Sequence, residues 1–287
     1  MRLIGLTMVR DEIDVIDAWL DHHSQLLDAL IVVCHESADG TQERVVERAR
    51  SGGALMALSV SGPDFRQGHT LTQVLRTQAR SLGSGWVFAL DADEFIVSTT
   101  RTALEMELQQ LPHGAAALLR WQTYVPVEDS SGGVLSRFRL RVDTEPDYQA
   151  KVAFPAALFE SPERVLLDGN HGIADLYKDD LRLGLHVPLC NAWLAHIPIR
   201  SERQFVHKVL QGNAAVQRMR AGRGRMAWHW GDLAQRITAG ESFDLAKLRD
   251  IAVRYYAFGS AIGPCETLPV VQFLDDPILP ERAARRA

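Results

Sequence analysis

Cysteine is scarce in this sequence, and the three present, Cys34, Cys190 and Cys265, stand far apart. They form no Cys-x-x-Cys pair and no ladder of metal ligands, which excludes a disulfide scaffold and a zinc ribbon. Free thiols in a reducing compartment are expected. Positive charge is also short. With 31 Lys and Arg against 36 Asp and Glu, the net charge is -5, which argues against nucleic acid as a partner. Arg282, Arg285 and Arg286 fall in a short tail expected to be disordered. No stretch approaches the roughly 20 apolar residues that span a bilayer, so no integral membrane segment is expected. The run Leu3 to Val9 is too short for a secretory signal. A cytoplasmic location follows as the expectation. There is no internal repeat and no low-complexity tract.

What is present is an ordinary globular composition, 46% hydrophobic and 23% charged, over 287 residues. That length suits one large domain or a domain with an appendage. Apolar runs at Leu3–Val9, Ala29–Val33, Ala54–Val60 and Trp86–Leu90 read as strands. Between them lie helical spacings: Ile13 to Leu27, a helix opening near Thr41, and His69 to Leu82. Another helix is expected over Thr102–Leu111. The order β-α-β-α-β-α-β predicts a doubly wound, mostly parallel but mixed α/β sheet flanked by helices. Beyond Ala115, strands are expected at 115–121, 134–142, 151–154 and 193–197. Helices are expected at 201–219, 233–239 and 244–258, with Gly222-Arg223-Gly224-Arg225 interrupting them. The division predicted is a catalytic domain over 1–210 and a C-terminal helical extension over 211–287.

The most informative stretch is Trp86-Val87-Phe88-Ala89-Leu90-Asp91-Ala92-Asp93-Glu94-Phe95. A buried strand delivers two carboxylates one residue apart, and buried charges are costly unless paired. At the carboxyl end of a strand such a pair can hold a hard divalent cation, and the cation can hold phosphates. Asp11-Glu12 also falls at a strand end, so both acidic clusters can face one crevice.

Four segments in order resemble the family 2 glycosyltransferases, which have a GT-A type fold. They are Met8-Val9-Arg10-Asp11-Glu12 with Trp19-Leu20-x-His22-His23; Ser37-Ala38-Asp39-Gly40-Thr41; Leu90-Asp91-Ala92-Asp93-Glu94-Phe95; and His196-Ile197-Pro198-Ile199-Arg200-Ser201 with Gln204-Phe205 and Lys208-Val209. The third resembles the family's metal-binding Asp-x-Asp, with the Asp-Glu-Phe ending of one subgroup. The resemblance implies a nucleotide-diphosphate sugar as donor and Mn²⁺ or Mg²⁺ as cofactor. It also implies transfer with inversion to a glycan, lipid-linked or other hydroxyl acceptor. On it, Asp91 and Asp93 match metal and ribose positions, while Arg10, Asp11, Glu12 and Asp39 match or adjoin the nucleoside site. At Cys34-His35-Glu36 the chain departs from the acids many relatives carry, which leaves the nucleotide open.

Bland alternatives compete at each further position. His196 is either a third metal ligand or a hydrogen-bonded loop histidine. Arg200 and Lys208 either clamp a diphosphate or form a solvated basic face. Asp168 and His171, in Asp168-Gly169-Asn170-His171, are the candidates for the base, although a turn explains the same residues. Asp175, Asp179, Asp180 and acids near Glu145 compete with them. Trp228, His229 and Trp230 suit sugar stacking or a core, and His22 and His23 read as structural. Two rival functions fit the lead motif: a Mg-dependent phosphohydrolase of haloacid-dehalogenase type, and a non-catalytic nucleotide-sugar-binding module. The oligomeric state is left open.

Overall fold

The computed structural model describes residues 1–62, 66–128, 133–145, 149–178, 180–218, 228–259, 267 and 270–278. The expectations placed on Asp179, Gly222 to Arg225, Cys265 and the arginines of the tail lie outside these residues, as do the side chains of Trp228 and His229.

The first half alternates as the apolar runs demand. Strand β1 (Leu3–Val9) is followed by helix α1 (Ile16–Leu26), β2 (Ala29–His35), α2 (Thr41–Arg50), β3 (Leu55–Val60), α3 (Gln67–Leu82) and β4 (Trp86–Leu90). Both β1 and β4 are buried along their whole length. Their side chains divide by parity. Trp86, Phe88 and Leu90 join one core cluster with Trp19 and Phe95, while Val87 and Ala89 join another with Leu71 and Leu75. Helices cover both faces, so these strands read as continuous apolar runs instead of alternating ones.

β1 pairs in parallel with β2 on one side and β4 on the other, and β3 extends the sheet beyond β2. The switch in strand order therefore lies between β1 and β4. In open α/β sheets this is where the carboxyl ends of the strands frame a crevice. Asp11 follows β1 and Asp91 follows β4.

β5 (Glu94–Ser98) begins directly behind the acidic pair, in a stretch to which the sequence pattern assigned no element. It is fully buried and pairs antiparallel with a later strand. Its opposite edge is satisfied by two imidazoles of α1. His22 Nε2 lies 2.8 Å from the Ile96 carbonyl, and the Ile96 amide donates to His23 Nε2 at 3.3 Å. Burial lowers the pKa of both rings, so they remain neutral partners of the backbone.

α4 (Arg101–Gln109) leads to a mixed second half: β6 (Ala116–Val125), β7 (Leu140–Val142), β8 (Ala150–Pro155), β9 (Arg164–Leu166), β10 (Ile173–Tyr177), β11 (Asp180–Leu183), β12 (His186–Pro188) and β13 (Ala192–His196). β8 lies antiparallel between β4 and β6. β13 runs parallel to β6 and antiparallel to β5. β9, β10 and β11 form a separate three-stranded sheet. The strand expected over 134–142 is interrupted, because Val134–Arg137 closes a 3₁₀ turn in which Ser136 Oγ donates to the Gly133 carbonyl.

α5 (Glu202–Arg218), α6 (Trp228–Thr238) and α7 (Leu245–Ala252) pack against the far edge, with Phe205, Val209, Leu233, Phe243 and Ile251 meeting Val125 and Val142. β14 (Phe273–Asp275) then adds itself antiparallel to β7. Among the described residues no helix is long and apolar enough to cross a membrane.

A candidate functional site of paired acids and buried cations

The loops after β1 and β2 are stitched together. The Asp11 amide donates to Ser37 Oγ, and Asp11 Oδ1 accepts from the Ala38 amide at 2.6 Å. Asp39 Oδ1 accepts from the amide and hydroxyl of Thr41, and its Oδ2 accepts from the Ile13 amide. The Glu12 amide donates to Thr41 Oγ1 at 2.8 Å. Asp11 and Glu36 adopt φ of 55° and 44°, a left-handed conformation uncommon outside glycine. Such backbone persists where its surroundings over-determine it, often at a ligand site.

α5 closes the crevice from the other side. Gln211 Nε2 donates to Asp11 Oδ2 at 2.5 Å, and His207 Nε2 lies 3.3 Å from the same oxygen. Arg10 Nε is 3.9 Å from it. Arg200, just ahead of α5, is buried and reaches Glu12 at 2.5 Å and Asp14 at 2.7 Å. Among its nitrogens, Nη1 is buried without a hydrogen-bond partner in the described residues. The guanidinium is thus a brace under the β1 loop.

Each aspartate of the lead motif meets a lysine. Lys208 Nζ lies 2.5 Å from Asp93 Oδ2, and Lys151 Nζ lies 2.5 Å from Asp91 Oδ2. Lys151 is fully buried on β8 and also reaches the Gly169 carbonyl at 2.6 Å. Asp91 Oδ1 accepts from Gln67 and Asn170. Burial alone would raise the Asp93 carboxyl, but the charge of Lys208 beside it prevails and holds it well below the usual carboxylate range. Burial would lower Lys151, but Asp91 and then Glu94 raise it, so it stays charged.

Glu94 is the most enclosed acid. It accepts from Trp121 Nε1 at 2.7 Å and from the Asp91 amide at 2.8 Å. Burial pushes its carboxyl up to about 8, in spite of Lys151. His196, at the end of β13, stacks on the Trp121 ring with centroids 4.0 Å apart, and burial lowers it to about 3. It is therefore neutral, and Lys208 is the cation that governs Asp93.

Ligand atoms of Asp93, Glu94 and His196 lie within 4.8 Å of one another. Two hard oxygens and an imidazole fit Mn²⁺ or Mg²⁺, and His196 Nδ1 is buried with no partner among the described residues. The donor set thus suits the metal that the resemblance implies. Asp91 stands beside this trio, turned toward Lys151. A cation here competes with the Lys208 ammonium and with the proton on Glu94.

The turn Asp168–Asn170 borders the same cluster through Asn170 and Gly169. Asp168 Oδ1 accepts from the Gly68 amide at 2.9 Å, which ties it to the start of α3. His171 Nδ1 lies 2.8 Å from the Ala150 carbonyl, and its ring meets Trp121 edge-on. Asp175 pairs with Arg164 and Asp180 with Arg182, both on the separate sheet.

Sequence reasoning passed over Lys151, Trp121 and Gln211, and it took Glu94 only as part of a motif. Lys151 did carry a signal, as the single charge in the apolar strand Ala150-Lys151-Val152-Ala153-Phe154. A lysine placed so is almost never buried without a partner.

The chain matches no known family model and no curated protein. Among solved structures it is similar to S. aureus TarS 1-349, at 12% identity and TM-score 0.42, over 82% of this chain and 69% of that one. The same protein in complex with UDP-GlcNAc gives 11% and 0.41, over 83% and 72%. The mannosyltransferase PcManGT from Pyrobaculum calidifontis, in complex with GDP-Man and Mn²⁺, gives 23% and 0.32, over 45% of this chain and 36% of that one. Likeness this distant assigns neither ligand nor reaction to the chain.

Proposed function

We propose that the protein transfers a sugar from a nucleotide-diphosphate sugar to a hydroxyl of a glycan, lipid-linked or other acceptor, with inversion and with Mn²⁺ or Mg²⁺. What carries this is the convergence, at the switch point between β1 and β4, of Asp11, Asp91, Asp93, Glu94 and His196 with Lys151, Arg200 and Lys208. Carboxylates and an imidazole suit a cation, and buried ammonium and guanidinium groups suit a diphosphate.

Asp11, with Gln211 and His207 around it, lines the nucleoside end, and Arg10, Glu12 and Asp39 shape that loop. Lys208 and Arg200 steady the phosphates. Asp93, Glu94 and His196, with Asp91 alongside, hold the cation. When bound, it offsets charge developing on the leaving diphosphate. Asp168 and His171 border the acceptor side. Residues 1–210 are assigned the catalytic unit, the second half of the chain acceptor specificity, and α6 and α7 pack on that unit.

Thermal unfolding with UDP-, GDP- and dTDP-sugars, each with and without Mn²⁺, tests this. A ligand that binds only the folded state raises the Tm with saturation. One nucleotide class should shift it in Mn²⁺, and Asp93→Ala should abolish the metal-dependent part. No shift by any nucleotide sugar would overturn the assignment. Phosphate release from simple phosphoesters would favour a phosphohydrolase, and binding without turnover a non-catalytic module.

A further inference from the structure

Beside the donor crevice lies a cavity of about 130 Å³, lined by Val142 together with Arg120, Trp121, Gln122, Asp143, Glu145 and Gln149. An engineered cavity of about 150 Å³ accepts a six-membered carbon ring, so this volume is ring-sized. That apolar cavity stays dry, whereas amides, a guanidinium and carboxylates line this one beside Trp121 and Val142. A ring that carries hydroxyls meets such a lining with both its polar edge and its apolar face. Gln122, one of the lining residues, has a buried Oε1 with no partner among the described residues.

The cavity adjoins the acid cluster through β6 and β13. Trp121 and Thr123 share one face of β6, and Thr123 is the register partner of His196. Glu145 is fixed to Thr123. Its Oε1 accepts from the Thr123 amide, and its Oε2 accepts from the Thr123 hydroxyl at 3.1 Å. The Trp121 indole lines the cavity, donates to Glu94 and stacks on His196. Glu145 is thus the cavity-wall carboxylate held by Thr123, the register partner of His196. By contrast, Asp168 is held by the start of α3, and His171 Nδ1 by a backbone carbonyl.

We propose that this cavity is the acceptor subsite for a pyranoside hydroxyl and that Glu145 is the base that takes its proton. The inference rests on the transfer activity proposed above. In the step, the acceptor O–H bond breaks and its proton passes to a Glu145 carboxylate oxygen. The acceptor oxygen forms a bond to the anomeric carbon, and the bond from that carbon to the diphosphate breaks. The nucleoside diphosphate leaves with the electron pair. Burial pushes the Glu145 carboxyl up to about 7, against the hydrogen bonds from Thr123. A base of that strength can both lose and gain a proton near neutrality.

Saturation-transfer NMR with methyl β-glucoside, methyl β-galactoside, methyl α-mannoside and methyl N-acetyl-β-glucosaminide tests the cavity without any donor. At least one should bind the wild type and not Gln149→Trp, which fills the space. Should that variant not fold, Asp143→Trp at an exposed lining position serves instead. Binding of none of the four, or equal binding by the filled variant, overturns the subsite. Release of nucleoside diphosphate from the nucleotide sugar that shifts the Tm, with and without the bound glycoside, tests the base. Glu145→Gln should keep glycoside binding and the donor-induced shift while losing at least 100-fold of the glycoside-dependent rate, within the range of general-base catalysis (about 10² to 10⁴). Transfer within threefold of wild type would remove Glu145 from the role. Failure of every nucleotide sugar to shift the wild type would sink the transferase assignment instead, and the glycoside spectra would still decide the cavity.

Discussion

Lys208 and Asp93, 115 residues apart in sequence, meet at 2.5 Å in a site where the Asp93 residue is only 4% exposed. Replacing Lys208 with Met should leave a buried carboxylate facing Glu94 and Glu12 without its counter-charge. Breaking a buried pair on one side costs about 3–5 kcal/mol. Urea unfolding of Lys208→Met should show a loss of that order, and adding Asp93→Asn should recover part of it. The same vacancy should make Mn²⁺ raise the Tm of Lys208→Met more than that of wild type, because the metal no longer competes with the ammonium. An equal or smaller metal effect in the variant would show that Lys208 does not compete with a cation for Asp93.

The first half of this arrangement was legible in the sequence because β1, β2 and β4 are buried on both faces and appear as unbroken apolar runs. β5 was not legible, since half its support comes from His22 and His23 on a distant helix. β11 is exposed along its whole length and pairs with β10, so its residues carry no burial pattern. In the site, the acids announced themselves by motif. The partner of Asp91 did not, because Lys151 arrives 60 residues later on an antiparallel strand.

A backbone approach near the site gives a second prediction. A Cβ added at Gly68 would lie 2.6 Å from the Leu166 carbonyl oxygen and 2.8 Å from the Asp168 amide nitrogen. Both are main-chain atoms, so no side chain can swing aside. Gly68→Ala should part α3 from the segment 166–168, break the bond from the Gly68 amide to Asp168 and cost about 1–3 kcal/mol or more. Hydrogen exchange should show faster exchange at the Leu166 amide, which Thr72 Oγ1 now protects.

Arg200 supplies a test of geometry against charge. Its Nη2 donates to both Glu12 and Asp14 while Nε donates to Asp14, a planar fork that an ammonium cannot reproduce. Arg200→Lys keeps the charge and should still lose about 1–3 kcal/mol of stability, since one acid is left without its partner in a buried setting. A Tm unchanged from wild type would mean that charge alone suffices there.

Glu145 makes stability depend on pH in a direction opposite to that of a salt-bridged carboxylate. Burial pushes its carboxyl up to about 7 in the folded chain, from the ordinary 4.5 of a free glutamate. Between these values the folded state holds a proton that the unfolded state has lost, so stability falls as pH rises. The contribution is full below about 4.5, declines through about 7 and is flat above. A shift of this size corresponds to at most roughly 3 kcal/mol, at 1.36 kcal/mol per unit. Glu94 and other acids add their own slopes, so the comparison is with Glu145→Gln, which has no titrating group at this position. Unfolding free energies of the two proteins, measured from pH 5 to pH 8, should differ by a term that favours wild type progressively less as pH rises. A constant difference across that range would mean that Glu145 is already ionised in the folded protein at pH 5, and with that its fitness to exchange a proton near neutrality would be gone.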